Sequence, residues 1–119
     1  MILFIKKRIL SFIPAFKGLF WLFKNEANAQ VHLIATILVI IAGFYFNIDS
    51  KDWLILCFAI GLVITAEALN TAIEKLVDLL HPQKHQQAGL VKDLAAAGVL
   101  VASIVAVIIA ALVFVPKFF

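Results

Sequence analysis

Residues 31–46, 53–66 and 94–115 are almost unbroken apolar sequence, and a chain of 119 residues has too few others to shield all three from water. The chain is 65% hydrophobic and 14% charged, with a mean hydropathy of +1.11, against about 25% charged residues in a soluble domain. Part of its solvent must therefore be lipid. Cysteine excludes little beyond an intrachain disulfide or thiolate zinc cluster, because Cys57 stands alone in an apolar run and reads as a small buried hydrophobe. No basic tract of the kind that binds nucleic acid is present.

The expected fold is all-α, a single membrane domain over residues 1–119. Residues 1–29 place Ile5, Ile9, Phe12, Phe16, Leu19, Phe20 and Phe23 at helical spacing, interrupted too often for a span by Lys6, Lys7, Arg8, Lys17 and Lys24. This predicts an amphipathic helix lying in the headgroup region, broken or kinked near Pro14, with Lys and Arg reaching lipid phosphates and Trp21 sitting deeper. The segment resembles a signal peptide only superficially, since its basic cluster follows the first apolar residues and no small-residue cleavage site is visible; it reads as part of the mature protein. Transmembrane helices are expected at about 29–47, 53–80 and 94–115, the first reaching span length by extending back over residues 27–30. The polar turn 47–52 offers Ser50 or Asp52 as an N-cap for the second span. That second helix, about 42 Å long at 1.5 Å per residue, should project beyond the hydrocarbon. The third span begins with small residues (Ala95, Ala96, Ala97, Gly98, Ala102, Ser103) that permit close helix–helix approach, and ends at Pro116-Lys117.

Three spans put the termini on opposite sides. Eight basic residues lie in the N-terminal segment and the 75–93 connection, against Lys51 and Lys117 on the other side. The positive-inside bias therefore assigns the N-terminus and that connection to the cytoplasm and the C-terminus to the outside of an inner membrane.

The second span carries the chemistry. In EALNTAIEKLVD the polar residues Glu67, Asn70, Glu74 and Asp78 fall within an arc of about 80° and form a stripe about 16 Å long. It begins where the apolar run 53–66 ends, at the expected cytoplasmic surface. A carboxylate at mid-bilayer costs about 3 kcal/mol even on lenient scales, so such a face reads as a site. Glu26 in NEANAQ, the pair Lys92-Asp93, and His81, Lys84 and His85 fall at the same membrane level. Carboxylates with an amide and a few lysines suit hard-cation chemistry: Mg²⁺ keeps several waters and is held by one or two carboxylates plus nucleotide phosphates. Phosphoryl transfer needs that metal, a cation near the phosphates and a base beside the attacking hydroxyl. Glu67, nearest the apolar half, suits a lipid hydroxyl, and Glu74, two turns towards water, suits a metal–nucleotide complex.

With these residues in view, the sequence resembles the small prokaryotic membrane kinases of the diacylglycerol kinase and undecaprenol kinase family. The resemblance rests on FKGL at 16–19, NEAN at 25–28, His32, the turn followed by Trp53, EALNTAIEKLVD at 67–78 and KDLAAAGVL at 92–100, and covers nearly the whole chain in order. It implies a homotrimer with active sites shared between protomers, and Mg²⁺- and ATP-dependent phosphorylation of a lipid hydroxyl, on diacylglycerol or undecaprenol. It implies Glu67 as general base, Glu26 and Glu74 as metal-binding carboxylates, Asn70 ordering the site, and His85, Lys92 and Asp93 contacting ATP. Neither a Gly-rich phosphate loop nor a protein-kinase signature is present, as the resemblance requires. Ala27, Gln30 and Pro14 depart from residues common in the family, on the substrate- and nucleotide-facing surface. Asn28 and His32 lean towards the undecaprenol-type members.

Plainer readings stand beside these. Glu67 could be a proton relay or an interhelix hydrogen-bonding group, Glu74 and Asp78 a solvated helix end, and Glu26 a solvated interfacial carboxylate. Lys92 and Asp93 could begin the last helix with Asp93 as its cap, and His32 more simply packs between helices. For Asp78 a structural role is favoured. The rival reading of the whole is a non-enzymatic oligomeric membrane subunit handling protons or cations through Glu67; a third is a small stabilising partner of a larger complex.

Overall fold

A computed structural model describes residues 1–119. It is all-helical: α1 (Ile2–Leu10), α2 (Phe12–Asn25), α3 (Ala27–Tyr45), α4 (Ser50–Leu80) and α5 (Gln86–Phe118). The last three are long and apolar enough to cross a membrane. α5 lies along α4, with α3 packed against α4 and α2 touching both α3 and α4. The whole is a slab of 52 × 48 × 22 Å.

The N-terminal segment is broken just ahead of Pro14, as expected, but is not clearly amphipathic. It is two helices broken at Ser11, whose hydroxyl donates to the Arg8 carbonyl at 2.6 Å. Pro14 explains the position of the break: it lacks an N–H, and its ring would clash with the carbonyl four residues back, that of Leu10. The disruption therefore falls before the proline, and Pro14 itself sits in the first turn of α2, where a missing donor is tolerated. In α1, Lys6, Lys7 and Arg8 are consecutive, so they point about 100° apart and spread their charge over an arc of about 200° that also holds Leu3, Phe4 and Leu10.

α3 ends in a Schellman motif. Asn47 adopts φ 50, a left-handed conformation that asparagine tolerates better than most residues. The Ile48 N–H donates to Gly43 O at 3.2 Å and the Asn47 N–H to Phe44 O at 3.3 Å. Ile48 then turns inward and joins Leu56 and Val113 in a small core, flanked by Val39, Phe46, Trp53, Ile109 and Phe114. Asp49 caps α4, accepting from the Asp52 N–H at 3.0 Å. The cap is thus one residue before Ser50 and three before Asp52, because Asp49 is the residue with extended backbone (φ −83, ψ 177).

α5 starts well before the expected 94. Its cap is His85, whose Nδ1 accepts from the N–H groups of Gln87 and Ala88 at 3.2 and 3.4 Å. Lys92 and Asp93 consequently lie within the helix, and Asp93 caps nothing. At 33 residues α5 is about 50 Å long, against a hydrocarbon thickness of about 30 Å, so its first turns stand outside the apolar layer. It continues through Pro116 to Phe118, since a proline in the last turn removes only one terminal hydrogen bond.

Only 13 of 119 residues are buried within a protomer. The exposed Leu, Ile, Val and Phe of α3, α4 and α5 are thereby left to lipid or to other copies of the chain.

Candidate active site on α4

The acidic stripe of α4 faces inward at Glu67 and Asn70, while Glu74 is half-buried and Asp78 exposed. Glu67 is 2% exposed, Asn70 5% and Thr71 5%, and they are the buried polar residues of the fold. Each occurs where the helix turns one face towards its neighbours: offsets of three and four residues return to the same side. Within this cluster the hydrogen bonding is incomplete. Asn70 Nδ2 donates to Glu74 Oε1 at 3.2 Å, which orients the next carboxylate along. Glu67 Oε2, Asn70 Oδ1 and Thr71 Oγ1 have no partner. A buried polar atom left unpaired costs about 1–3 kcal/mol, so three in just over one turn is a large local cost in a structure that otherwise satisfies its helices.

α3 supplies the histidine. His32 Nε2 lies 3.6 Å from Glu67 Oε2, too long for a direct hydrogen bond but close enough for an ionic attraction if the ring is protonated. Thr36 donates its hydroxyl to the His32 carbonyl at 2.8 Å. Glu26 is the single extended residue between α2 and α3 (φ −100, ψ 119). His32, Glu74 and Glu26 are near enough to Glu67 to act on its charge.

Other expected site residues lie apart from that group. Lys92 forms an ion pair with Asp78, linking α5 to α4 and giving Asp78 a structural task. His85 caps α5, and its ring stacks on His81 with centroids 5.0 Å apart. These residues line an open cleft of about 500 Å³ between the end of α4 and the start of α5, together with Lys84 and Gln86. Asp93 is exposed on α5.

No three His, Cys, Asp or Glu side chains of one protomer converge as a ready-made metal cage. The donor chemistry nevertheless suits Mg²⁺, which is commonly held by one or two carboxylates with nucleotide phosphates and water filling the remaining positions. Glu74, held by Asn70, and Glu26 at the helix break are carboxylates of that kind.

Thr71 is the residue that sequence reasoning missed. Its signal was faint: it lies four residues after Glu67, about 20° beyond the edge of the stripe's arc, and an uncharged hydroxyl does not stand out beside three carboxylates. It also lines a second cleft, of about 410 Å³, between α2 and α4, whose wall is built from small residues (Ala15, Gly18, Ala68, Ala72). Lys75 closes one edge of this region, its Nζ 5.0 Å from the Trp21 ring centroid, a cation–π distance.

A family profile described as prokaryotic diacylglycerol kinase matches residues 14–114. Among characterised proteins, the chain is 38% identical over 107 residues to the undecaprenol kinase of Bacillus subtilis, covering 90% of this chain and 87% of that one. It is 35% identical over 94 residues to the diacylglycerol kinase of Escherichia coli K12, covering 79% of this chain and 77% of that one.

Proposed function

Because the chain belongs to the prokaryotic diacylglycerol kinase family, we propose that it is a lipid kinase transferring the γ-phosphoryl group of ATP to the hydroxyl of a membrane lipid, diacylglycerol or undecaprenol. The observation that carries the reading is the buried Glu67 carboxylate with one oxygen unpartnered, at the point where the apolar half of α4 gives way to its acidic half. A lipid alcohol held at the membrane surface presents its hydroxyl at that depth.

In this mechanism Glu67 accepts the proton of the lipid hydroxyl as its oxygen attacks the γ-phosphorus and the bond to the β-phosphate oxygen breaks, releasing ADP. His32, 3.6 Å away, faces the carboxylate from α3. Asn70 holds Glu74 in place through its 3.2 Å hydrogen bond. Glu26 and Glu74 would hold Mg²⁺, which when bound offsets charge on the phosphate oxygens. Lys92, standing beside the open cleft with His85 and Lys84, is placed for the phosphates of ATP, with Asp78 setting its position; Asp93 on the same helix serves the nucleotide as well. The hydrophobic wall of the spans keeps the acceptor lipid in the bilayer throughout.

A single protomer leaves the nucleotide cleft open and most apolar surface exposed, which supports assembly as a homotrimer with sites completed between copies. The excess of basic residues at the N-terminus and between α4 and α5 supports a cytoplasmic active site in the inner membrane, with the C-terminus outside. No observation favours the alternative of a non-enzymatic proton- or cation-handling subunit.

The test is to incubate purified protein in mixed micelles with labelled ATP, Mg²⁺ and either diacylglycerol or undecaprenol. Label should pass to at least one lipid, and only when Mg²⁺ is present. Folded, assembled protein that phosphorylates neither would defeat the reading.

A further inference from the structure

We infer that Thr71 is a lipid-binding residue, its hydroxyl hydrogen-bonding a headgroup oxygen of the acceptor lipid seated in the cleft between α2 and α4. The inference rests on the lipid-kinase reading and names a contact within that site.

Two threonines in this fold make the argument by contrast. A threonine inside a helix commonly returns its hydroxyl to the carbonyl four residues back. Thr36 does so, donating to His32 O at 2.8 Å. Thr71 has the same opportunity with the carbonyl of Glu67, yet its Oγ1 has no partner while the residue is 5% exposed. No group of the chain accepts from it, so a group that enters the site is its natural partner.

The surroundings indicate what enters. Thr71 forms part of the wall of the α2–α4 cleft, whose volume of about 410 Å³ is left by Ala15, Gly18, Ala68 and Ala72. One side of this cleft is α2, which faces it with Leu19, Trp21 and Leu22 and lines a separate cleft with Phe16, Lys17, Phe20 and Lys24, the composition of a helix at the membrane surface. The other side is α4, one turn from Glu67. A molecule there lies against α2 and within one turn of Glu67 along α4, where an acceptor lipid presenting its hydroxyl to that carboxylate would sit. Threonine in a helix occupies two χ1 wells, so a single rotation presents Oγ1 to an occupant of the cleft. Lys75 at its edge is engaged with Trp21, leaving Thr71 as the hydroxyl donor in the wall.

The experiment compares wild type with Thr71→Val, which keeps shape and removes the hydroxyl, and Thr71→Ser, which keeps the hydroxyl. Initial rates are measured against lipid at saturating ATP and against ATP at saturating lipid, for diacylglycerol and undecaprenol separately, with assembly checked by size-exclusion chromatography. For at least one lipid, Thr71→Val should raise the lipid KM about five- to tenfold, the loss of one hydrogen bond. The KM for ATP should remain unchanged, and Thr71→Ser should restore the lipid KM. An unchanged lipid KM in Thr71→Val, or a KM for ATP that rises by the same factor, overturns the assignment. If the valine variant does not assemble, the serine variant decides: a lipid KM like that of wild type upholds the assignment and a raised one overturns it. Wild-type protein that phosphorylates neither lipid would instead remove the kinase reading on which the inference stands.

Discussion

Replacing Gly43 with alanine drives a methyl group into the Trp53 ring. A Cβ at Gly43 would lie 2.5 Å from Trp53 Cη2, 2.8 Å from Cζ2 and 3.1 Å from Cζ3. Apolar carbons settle about 3.5–4.0 Å apart, so either the ring or helix α3 must retreat by about 1 Å. The ring has little room, because it stands against Phe44 with centroids 4.9 Å apart and packs on the Ile48, Leu56 and Val113 core. α3 is equally constrained, since the Gly43 carbonyl accepts the Ile48 N–H that closes its C-terminus. Overpacking usually costs about 1–3 kcal/mol; with both partners pinned, Gly43→Ala should fall near the middle, about 2 kcal/mol. The assay is reversible unfolding in mixed detergent micelles, followed by circular dichroism. Trp53→Leu is destabilising alone but opens the space, so the double variant should be more stable than the sum of the two losses by about 1 kcal/mol. A Gly43→Ala protein within about 0.5 kcal/mol of wild type, or losses that simply add, would refute the close approach of α3 to Trp53.

Glu67→Gln keeps the size of the side chain and removes its ability to take a proton, so turnover should drop about 10²- to 10⁴-fold while the oligomer forms normally; near-wild-type rates would take Glu67 out of the base role. His85→Ala removes the cap of α5 and should cost about 1 kcal/mol of stability without nucleotide, whereas His85→Asn, a better capping residue, should recover most of it. Equal losses in thermal unfolding of the two variants would mean that His85 stabilises the α4–α5 connection by some means other than capping.

The spans were legible because hydropathy is a direct statement about solvent: an apolar run has to face lipid, and residues 31–45, 53–66 and 94–115 all lie in helices. Helix ends were less so. The apolar run of α5 begins near Leu94, but backbone hydrogen bonding does not stop at the membrane surface, and Gln86–Val91 continue the helix through water to a histidine cap that composition does not announce. The start of α4 turned on which of three neighbouring polar residues took extended backbone, a choice set by the Schellman turn before it. The carboxylate stripe of α4 could be read from periodicity alone, because all of its members share one helix. The nearness of Glu26 and His32 to Glu67 depends on how α2 and α3 fold back, which no local pattern encodes; the family resemblance carried the expectation for Glu26. Thr71 was overlooked because its significance lies in a hydrogen bond it fails to make, and only coordinates display that.

Glu26 occupies a joint one residue long between a surface helix and a membrane helix. Its carboxylate therefore travels with any tilt of α2 against α3, whereas Glu67 and Glu74, riding the same rod, keep a fixed separation. Of the distances among these three carboxylates, one is rigid by construction and the others follow the set of α2 against α3.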